Sequence, residues 1–326
     1  MSIFDLLGVK PIINAAGPVT RLSGALMSEE VTEAMAEAAQ ACYDIAELQA
    51  AAGRVIAEVT GAESGYVTSG ASAGLLLGVA ACVTGLNPGA MNRLPDTRGM
   101  KNQVIMPRSH RNFYDHAIRS VGIELVEVGI SDRYSGAGVR DTEAWEIADA
   151  ITDRTAAIAY VANSNSRPPL VDVVRVAHER GVPVVVDAAG QLPPVSNLRK
   201  FIAEGADLVC FSGGKAIGGP QGSGVLCGRQ DLISGAALQH LDQDVLFELW
   251  SPPKSLIDKS KLPGAPQHGI GRPCKVGKEQ IAGLVTALKR FVEADEDSRR
   301  EGWMAKVKEM AGGLSAIDGA EVTVSG

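Results

Sequence analysis

The sequence predicts an α/β protein in which helices cover both faces of a mostly parallel sheet. Short apolar runs that are typical of buried strands recur along the chain, with helical segments between them. They are Tyr66–Val67, 103–107, 125–128, 156–161, 182–187, 206–211 and 223–228. This alternation predicts a three-layer domain, and a chain of 326 residues is long enough to bury a large core.

The segments between these runs carry helix patterns. Ser28 precedes a segment, 28–41, with acids in its first turn, which is typical of a helix start. Further helices are expected over 45–59, about 72–84, about 196–204, 278–294 and 303–317, and a strand over 320–324. We expect a large domain with its N-terminal segment over 1–275. The start of a smaller, apparently incomplete α+β domain is expected over 276–326.

Composition excludes several classes of function. The net charge is −7, no Lys/Arg cluster is present and aromatic residues make up 4% of the chain, so no nucleic-acid partner is expected. Five cysteines lie far apart without a CxxC pair, so neither a metal site nor a disulfide framework is expected. No apolar run has membrane-spanning length and the N-terminus lacks a signal-peptide pattern, which predicts a cytoplasmic protein without a membrane partner.

Unusual residues follow three of the predicted strands. Small residues, Thr68–Ser72, lead from a strand into a helix, where main-chain N–H groups can bind an anion. Asp187 ends the run 182–187, and the run 206–211 continues into Ser212-Gly213-Gly214-Lys215. Ligands of open parallel sheets bind beyond the carboxyl ends of the strands. A right-handed crossover would place Asp187 and Lys215 at one such edge.

An acid, an amine and a phosphate cradle at one edge fit pyridoxal phosphate. That cofactor needs a lysine for a Schiff base, an acid to keep the pyridine nitrogen protonated and donors around its phosphate. The glycines of the loop 211–224 would let the main chain approach the cofactor around Lys215.

Each feature alone has an ordinary alternative. Lys215 could be a surface lysine in a glycine loop, Asp187 a turn residue and 68–72 a common helix start. Ser212 and Lys215 also match the S-x-x-K pattern of serine acylases, but the KTG and SDN companions are absent. The chain has no P-loop sequence, and no GxGxxG follows its first strand. The combination of features therefore favours pyridoxal phosphate.

Longer stretches carry a family resemblance. FSGGKAIGGPQGSGVLCGR (211–229) resembles the lysine loop of the selenocysteine synthase-like (L-seryl-tRNA selenium transferase-like) branch of fold-type-I pyridoxal phosphate enzymes. TGAESGYVTSGASAGL (60–75) resembles the phosphate-binding segment of that branch. The stretches 13–31, 94–118 and 269–284 resemble its small bacterial members, the D-glucosaminate-6-phosphate ammonia-lyase-like proteins. The resemblance covers about residues 5–292.

The resemblance implies roles for individual residues. Lys215 carries the cofactor, Asp187 pairs with the pyridine nitrogen and His110 lies against the ring, although a loop histidine that bonds the main chain is an equal alternative for His110. The residues expected to hold the phosphate are Ser69, Gly70, Ala71 and Ser212, with Gly271 reaching the phosphate of a partner subunit. Candidates for a substrate carboxylate or phosphate are Arg21, Arg108, Arg111 and Arg167, each of which could instead be a surface arginine.

The resemblance also implies a reaction and an assembly. The expected enzyme is a lyase that eliminates water and ammonia from a 2-amino-3-hydroxy acid, such as D-glucosaminate 6-phosphate, and releases a 2-keto-3-deoxy acid. An aldolase, an aminotransferase, a racemase or a non-catalytic binding protein remain alternatives. Members that act on seryl-tRNA carry an extra N-terminal domain and a basic surface, so we expect a small-molecule substrate here. A homodimer or higher homo-oligomer is expected.

Overall fold

The computed structural model describes residues 2–130 and 141–324. Within these residues the centre of the protein is one seven-stranded sheet. Its strands are β1 (Ser64–Thr68), β2 (Gln103–Pro107), β3 (Glu124–Val128), β4 (Thr155–Val161), β5 (Val184–Asp187), β6 (Leu208–Ser212) and β7 (Gly224–Gly228). Every run that the sequence predicts as a strand before residue 230 is therefore a strand.

The helices of the described residues connect and cover these strands. They are α1 (Ile3–Leu7), α2 (Glu29–Ala39), α3 (Ile45–Thr60), α4 (Ala71–Thr84), α5 (Pro88–Arg93), α6 (Asp115–Arg119), α7 (Ala144–Ala150), α8 (Leu170–His178), α9 (Asn197–Ala203), α10 (Gln230–His240), α11 (Lys278–Glu293) and α12 (Glu296–Ser315). Short 3-10 turns form at Thr20–Leu22, Arg108–His110, Lys259–Lys261 and Arg272–Cys274.

The strand order confirms the predicted fold class. The order is β1-β7-β6-β5-β4-β2-β3, in which β7 is antiparallel to both β1 and β6 and the other pairs are parallel. Because β7 is antiparallel to both β1 and β6, β1 runs in the same direction as β6 and β5. The carboxyl ends of β1, β5 and β6 therefore lie at one edge of the sheet. The loops after these three strands therefore meet.

Alternate strand residues face two apolar clusters, one on each side of the sheet. Val184 and Val186 belong to one cluster and Val185 to the other. This alternation between faces follows from the two-residue repeat of a strand. Burial on both faces explains why the parallel strands read as continuous apolar runs.

The C-terminal part departs from the prediction. Residues 320–324 are irregular and mostly exposed, and no strand of the described residues pairs with them. The predicted strand is wrong because a strand needs a partner for its main-chain N–H and C=O groups. The last helix is longer than predicted, since the Asp295 side chain accepts the Ser298 N–H and starts α12 early.

Helix α11 shares the core of the sheet. Its apolar residues Ile281, Leu284 and Leu288 are fully buried and join the same cluster as Val184 and Val186. By contrast, α12 has no buried residue. The domain boundary proposed at 275/276 stays a prediction, and the packing of α11 shows that the core continues beyond residue 276.

Among the helices of residues 2–130 and 141–324, none combines the length and the apolar character needed to cross a membrane.

Helix α3 lies so close to β1 that glycines are required on both sides of the contact. A Cβ on Gly65 would lie 2.3 Å from Cγ2 of Ile56, and one on Gly53 would lie 2.3 Å from the main-chain oxygen of Gly65. We predict that Gly65→Ala lowers the free energy of unfolding by about 1–3 kcal/mol because the helix must move away. The measurement is urea unfolding followed by circular dichroism.

Gly302→Ala is the matched control for this prediction. Gly302 lies in α12 and a Cβ there would meet nothing within 4 Å. This change should raise the free energy of unfolding of the helix by about 0.5–1 kcal/mol, since alanine loses less backbone entropy than glycine. Equal unfolding midpoints for Gly65→Ala and the wild type would contradict the packing argument.

Candidate active site

A cavity of about 400 Å³ lies where the loops after β1, β5 and β6 meet. Six of the seven predicted cofactor-binding residues line this cavity: Ser69, Gly70, Ala71, Asp187, Ser212 and Lys215. Residues that are more than a hundred positions apart in the chain are thus brought together by the sheet topology.

The first wall of the cavity is the start of α4. Gly70 precedes the helix with φ +105°, a conformation that a residue with a side chain rarely adopts, and this turn leads directly from β1 into α4. The first N–H groups of a helix have no acceptor within the helix. Here they border the cavity at Ala71 and Ser72, which makes this wall suitable for an anion.

Asp187 forms the floor of the cavity. It is the last residue of β5 and its side chain is mostly buried, with Oδ1 accepting the Ala189 N–H at 3.0 Å. Burial raises the pKa of Asp187 above its usual range, and the Ala189 hydrogen bond and the charge of Lys215 only partly oppose this effect. The site therefore holds a carboxyl group that would gain from a nearby cation.

Lys215 reaches toward the segment that follows Asp187. A methyl group placed on Gly190 would lie 3.8 Å from Lys215 Nζ. The lysine is half-buried at the turn after β6, where the Gly218 N–H donates to the Lys215 carbonyl at 3.0 Å. The amine and the carboxyl group are thus presented to one cavity from neighbouring strands.

The glycines beside Lys215 have a packing role that the sequence reasoning missed. A Cβ on Gly213 would lie 2.3 Å from Ser223 Oγ, and one on Gly214 would lie 2.5 Å from Gln221 Cα. The Gly213 N–H also donates to the Ser223 carbonyl at 2.9 Å. Gly213 and Gly214 thus allow the loop to pack against its own return segment, and the approach of the loop's main chain to a cofactor stays a prediction.

The N-terminal segment completes the cavity. The Ala25 N–H donates to the Gly214 carbonyl at 3.0 Å, and Gln221 Nε2 donates to the Thr20 carbonyl at 2.8 Å. Seven further residues line the cavity but were not selected as cofactor contacts: Thr20, Ser72, Leu75, Tyr114, Ala189, Gln221 and Gly222. Ser72 could have been selected because it belongs to the same helix start, whereas no local pattern indicates Tyr114.

His110 is buried beside the cavity and does not line it. Its side chain is 2% exposed, Nδ1 accepts the Val161 N–H at 3.2 Å and its ring stands perpendicular to the ring of Tyr160 at 4.7 Å. This is the main-chain contact that the alternative interpretation expects. Its role against a cofactor ring stays a prediction.

Two of the four candidate substrate arginines are engaged with acids. Arg108 and Arg111 both donate to Glu127, and Arg111 also pairs with the buried Asp115. Burial alone would raise the pKa of Asp115, but hydrogen bonds from Arg111 and Arg119 outweigh it and the pKa lies below the usual value. A substrate anion at Arg108 or Arg111 would have to compete with Glu127.

Arg21 and Arg167 are exposed. Arg21 follows Thr20, which lines the cavity, and Arg167 donates from Nη1 to the Ser166 carbonyl at 3.0 Å. Both stay candidates for substrate binding, and Arg21 is the better placed because its neighbour borders the cavity.

Gly271 lies outside this cavity. Its N–H donates to the Gln239 carbonyl at 3.0 Å, and a Cβ there would lie 2.3 Å from Cδ2 of Leu77. Within its own chain Gly271 thus serves the close packing of the segment 269–274 on α10 and α4. Its contact with the cofactor of a partner subunit stays a prediction.

Asp187→Asn should stabilise the cofactor-free protein. Burial raises the pKa of Asp187 in the folded state, so the folded protein keeps the carboxyl proton to higher pH than the unfolded chain does. The wild type therefore loses stability as the pH rises above 3.8, the ordinary pKa of an aspartate. The variant lacks this loss, and its advantage in the free energy of unfolding should grow from pH 4.5 to pH 8. Urea unfolding at the two pH values measures it, and a variant less stable than the wild type at pH 8 would contradict the argument.

Comparisons with known proteins agree with this geometry. The family model described as L-seryl-tRNA selenium transferase matches residues 12–245. A 5'-C-glycyluridine monooxygenase-decarboxylase from Streptomyces sp is 34% identical and the match covers 97% of this chain and 72% of that protein. The D-glucosaminate-6-phosphate ammonia lyase of Salmonella typhimurium (strain 14028s / SGSC 2262) is 33% identical over 98% of this chain and 76% of its own.

Solved structures support the same assignment. A D-glucosaminate-6-phosphate ammonia-lyase structure matches with a TM-score of 0.77 at 33% identity and covers 97% of this chain and 76% of that chain. A serine palmitoyltransferase from S. paucimobilis with a bound PLP–myriocin aldimine matches with a TM-score of 0.53 at 14% identity over 90% of this chain and 67% of that chain, which shows a likeness of fold. The chain has the fold of the fold-type-I pyridoxal phosphate enzymes and belongs to the L-seryl-tRNA selenium transferase (SelA) family.

Proposed function

We propose that this protein is a pyridoxal phosphate-dependent ammonia-lyase that acts on a 2-amino-3-hydroxy acid. The observation that carries the proposal is the cavity itself, which Lys215, the buried Asp187 and the start of α4 all line. The relatives that are ammonia lyases support the same reaction class.

The residues present fit the cofactor. Burial raises the pKa of Asp187, and this cost would be relieved by a cationic pyridine nitrogen beside the carboxylate. The first-turn N–H groups of α4 would donate hydrogen bonds to the phosphate, and Lys215 lines the same cavity. The cavity of about 400 Å³ lies within the range of small-molecule sites.

Pyridoxal phosphate supplies an electron sink that stabilises negative charge at the α-carbon of a bound amino acid. Lys215 would hold the cofactor until the substrate amine displaces it. The freed Lys215 Nζ would then take the proton from the α-carbon, since Lys215 lines the cavity in which the substrate would bind.

We propose that Lys215 also assists the departure of the leaving group. Its ammonium can return the proton to the 3-hydroxyl, which leaves as water. Hydrolysis of the released enamine then gives a 2-keto-3-deoxy acid and ammonia, so the net change is the loss of ammonia from the substrate. Asp187 would pair with the pyridine nitrogen of the bound cofactor and hold the ring in orientation.

Substrate specificity is proposed from charge. D-Glucosaminate 6-phosphate has the required 2-amino and 3-hydroxy groups, and exposed Arg21 beside the cavity wall could bind its phosphate. The net charge of −7 favours a small molecule over a nucleic acid. The five cysteines are all free thiols, which supports a reducing cytoplasmic location.

A second candidate reaction is decarboxylation. The monooxygenase-decarboxylase relative is as similar in sequence as the ammonia lyase. The same site could cleave the bond to the carboxylate instead of the bond to the α-proton, and the two reactions differ in their products.

The products decide between these reactions. We predict that the wild type, loaded with pyridoxal phosphate, releases ammonia and a 2-keto-3-deoxy acid from D-glucosaminate 6-phosphate in equal amounts. Lys215→Ala should lose at least about a thousandfold in rate because the base and the cofactor anchor are both removed. An ammonia assay and mass spectrometry of the products measure the outcome.

Lys289→Ala is the matched control, since Lys289 is exposed on α11 away from the cavity. It should keep the wild-type rate. Release of carbon dioxide without keto acid would favour the decarboxylase. Retention of ammonia release in Lys215→Ala would contradict the proposed role of the lysine.

We also propose that the active protein is a homodimer or a higher homo-oligomer. Large apolar side chains are exposed on the N-terminal segment and beside Tyr114 of the cavity: Ile3, Phe4, Leu6, Leu7, Ile13 and Phe113. Exposed apolar patches of this kind are typical of interfaces. We predict a mass of at least twice the 34.0 kDa chain by light scattering, and a monomer that is fully active would contradict this proposal.

A further inference from the structure

A line of hydrogen bonds connects the anion-binding loop to a buried histidine. Ser69 Oγ donates to the Cys274 carbonyl at 2.7 Å, and the same carbonyl lies 2.9 Å from His240 Nε2. His240 Nδ1 lies 2.8 Å from the hydroxyl of Tyr66, whose ring meets the imidazole edge-on at 5.5 Å. Tyr66 is fully buried and His240 is 2% exposed.

The donor and acceptor capacities of the bonded groups determine which atom carries each proton along this line. A carbonyl oxygen only accepts, so His240 Nε2 carries the proton that it shares with Cys274. In a neutral imidazole Nδ1 then accepts, and the Tyr66 hydroxyl donates to it. Burial lowers the pKa of His240, and the charge of Arg272 acts in the same direction, so the neutral ring is favoured even though the bond to Cys274 opposes this.

The line joins three separate segments of the protein. Tyr66 belongs to β1, Ser69 follows that strand, His240 ends α10 and Cys274 ends a 3-10 turn. The residue before His240 holds the same turn, since Gln239 accepts the Gly271 N–H through its carbonyl and the Ile270 N–H through its side chain. The segment 269–274 is thus fixed to α10 on one side and to the anion-binding loop on the other.

The position of the Ser69 proton has a consequence for the cavity. Because the hydroxyl donates to Cys274, it does not also donate its proton to a ligand in the cavity. The donors that remain for an anion are the main-chain N–H groups at the start of α4. Their direction depends on how Ser69 and Gly70 are held.

We propose that Tyr66 and His240 are positioning residues that hold the Cys274 carbonyl against Ser69 and so orient the N–H groups that bind the cofactor phosphate. Neither residue lines the Lys215 cavity, so both act through Cys274 and Ser69. This inference rests on the proposed pyridoxal phosphate site and assigns to Ser69 a positioning role in place of direct phosphate binding.

The test compares two probes that differ only in the phosphate. Cofactor-free protein is titrated with pyridoxal phosphate and with pyridoxal, and absorbance reports binding of each. Tyr66→Phe and His240→Ala should weaken pyridoxal phosphate binding about tenfold, the scale of one oriented hydrogen bond, and leave pyridoxal binding unchanged. His240→Gln should restore most of the loss, because its amide can donate to the Cys274 carbonyl.

Two further comparisons separate positioning from general damage. Ser234→Ala removes a hydroxyl of the same helix that donates to the Leu256 carbonyl at 2.6 Å outside the Lys215 cavity, and it should bind both probes as the wild type does. Tyr66→Phe should add little to the loss in a Ser69→Ala background, since both changes break one line of hydrogen bonds.

Each outcome decides the inference. Unchanged pyridoxal phosphate affinity in Tyr66→Phe and His240→Ala would overturn it, as would an equal loss for pyridoxal. Independent, additive losses in the double variant would restore Ser69 as a direct ligand and contradict it. A wild type that binds neither probe would overturn the proposed cofactor and this inference together, which distinguishes the two failures.

Discussion

The register between β5 and β6 is the constraint on which the rest of the site depends. Asp187 pairs with Cys210 across these parallel strands, so the segments that follow β5 and β6 leave the sheet side by side. Lys215 follows only five positions after Cys210, in the loop that joins β6 to β7. A shift of one residue would turn Asp187 to the opposite face of the sheet and separate the carboxyl group from the amine.

The same arrangement carries an energetic conflict that a cofactor would resolve. A buried carboxyl group at Asp187 is costly when ionised, and Lys215 with the Ala189 N–H compensates only in part, because burial dominates its pKa. A protein that kept this group for stability alone would gain from an amide there. The charge is more readily explained by a cationic ring that binds above it, which links the stability of the empty site to its proposed chemistry.

The fold, and the placement of Asp187 and Lys215 at one edge of the sheet, could be predicted from the sequence because both depend on local patterns. Buried parallel strands appear in the sequence as continuous apolar runs, so the positions of the strands can be predicted. Asp187 ends one such run and Lys215 follows another, so their meeting at one edge of the sheet can be predicted as well. The packing of Gly213 against Ser223, the approach of Thr20 to the lysine loop and the line from Tyr66 to Ser69 join residues far apart in the chain. No local pattern encodes such contacts. The strand predicted at 320–324 failed for the same reason, since local propensity does not supply a partner.

The central claim is that Lys215 carries the cofactor at this edge of the sheet. Borohydride reduction of the protein with pyridoxal phosphate, followed by peptide mass mapping, tests it most directly because reduction makes an imine permanent. We predict one phosphopyridoxyl group, on the peptide that contains Lys215. A label on another lysine, or no label on a folded protein, would contradict it.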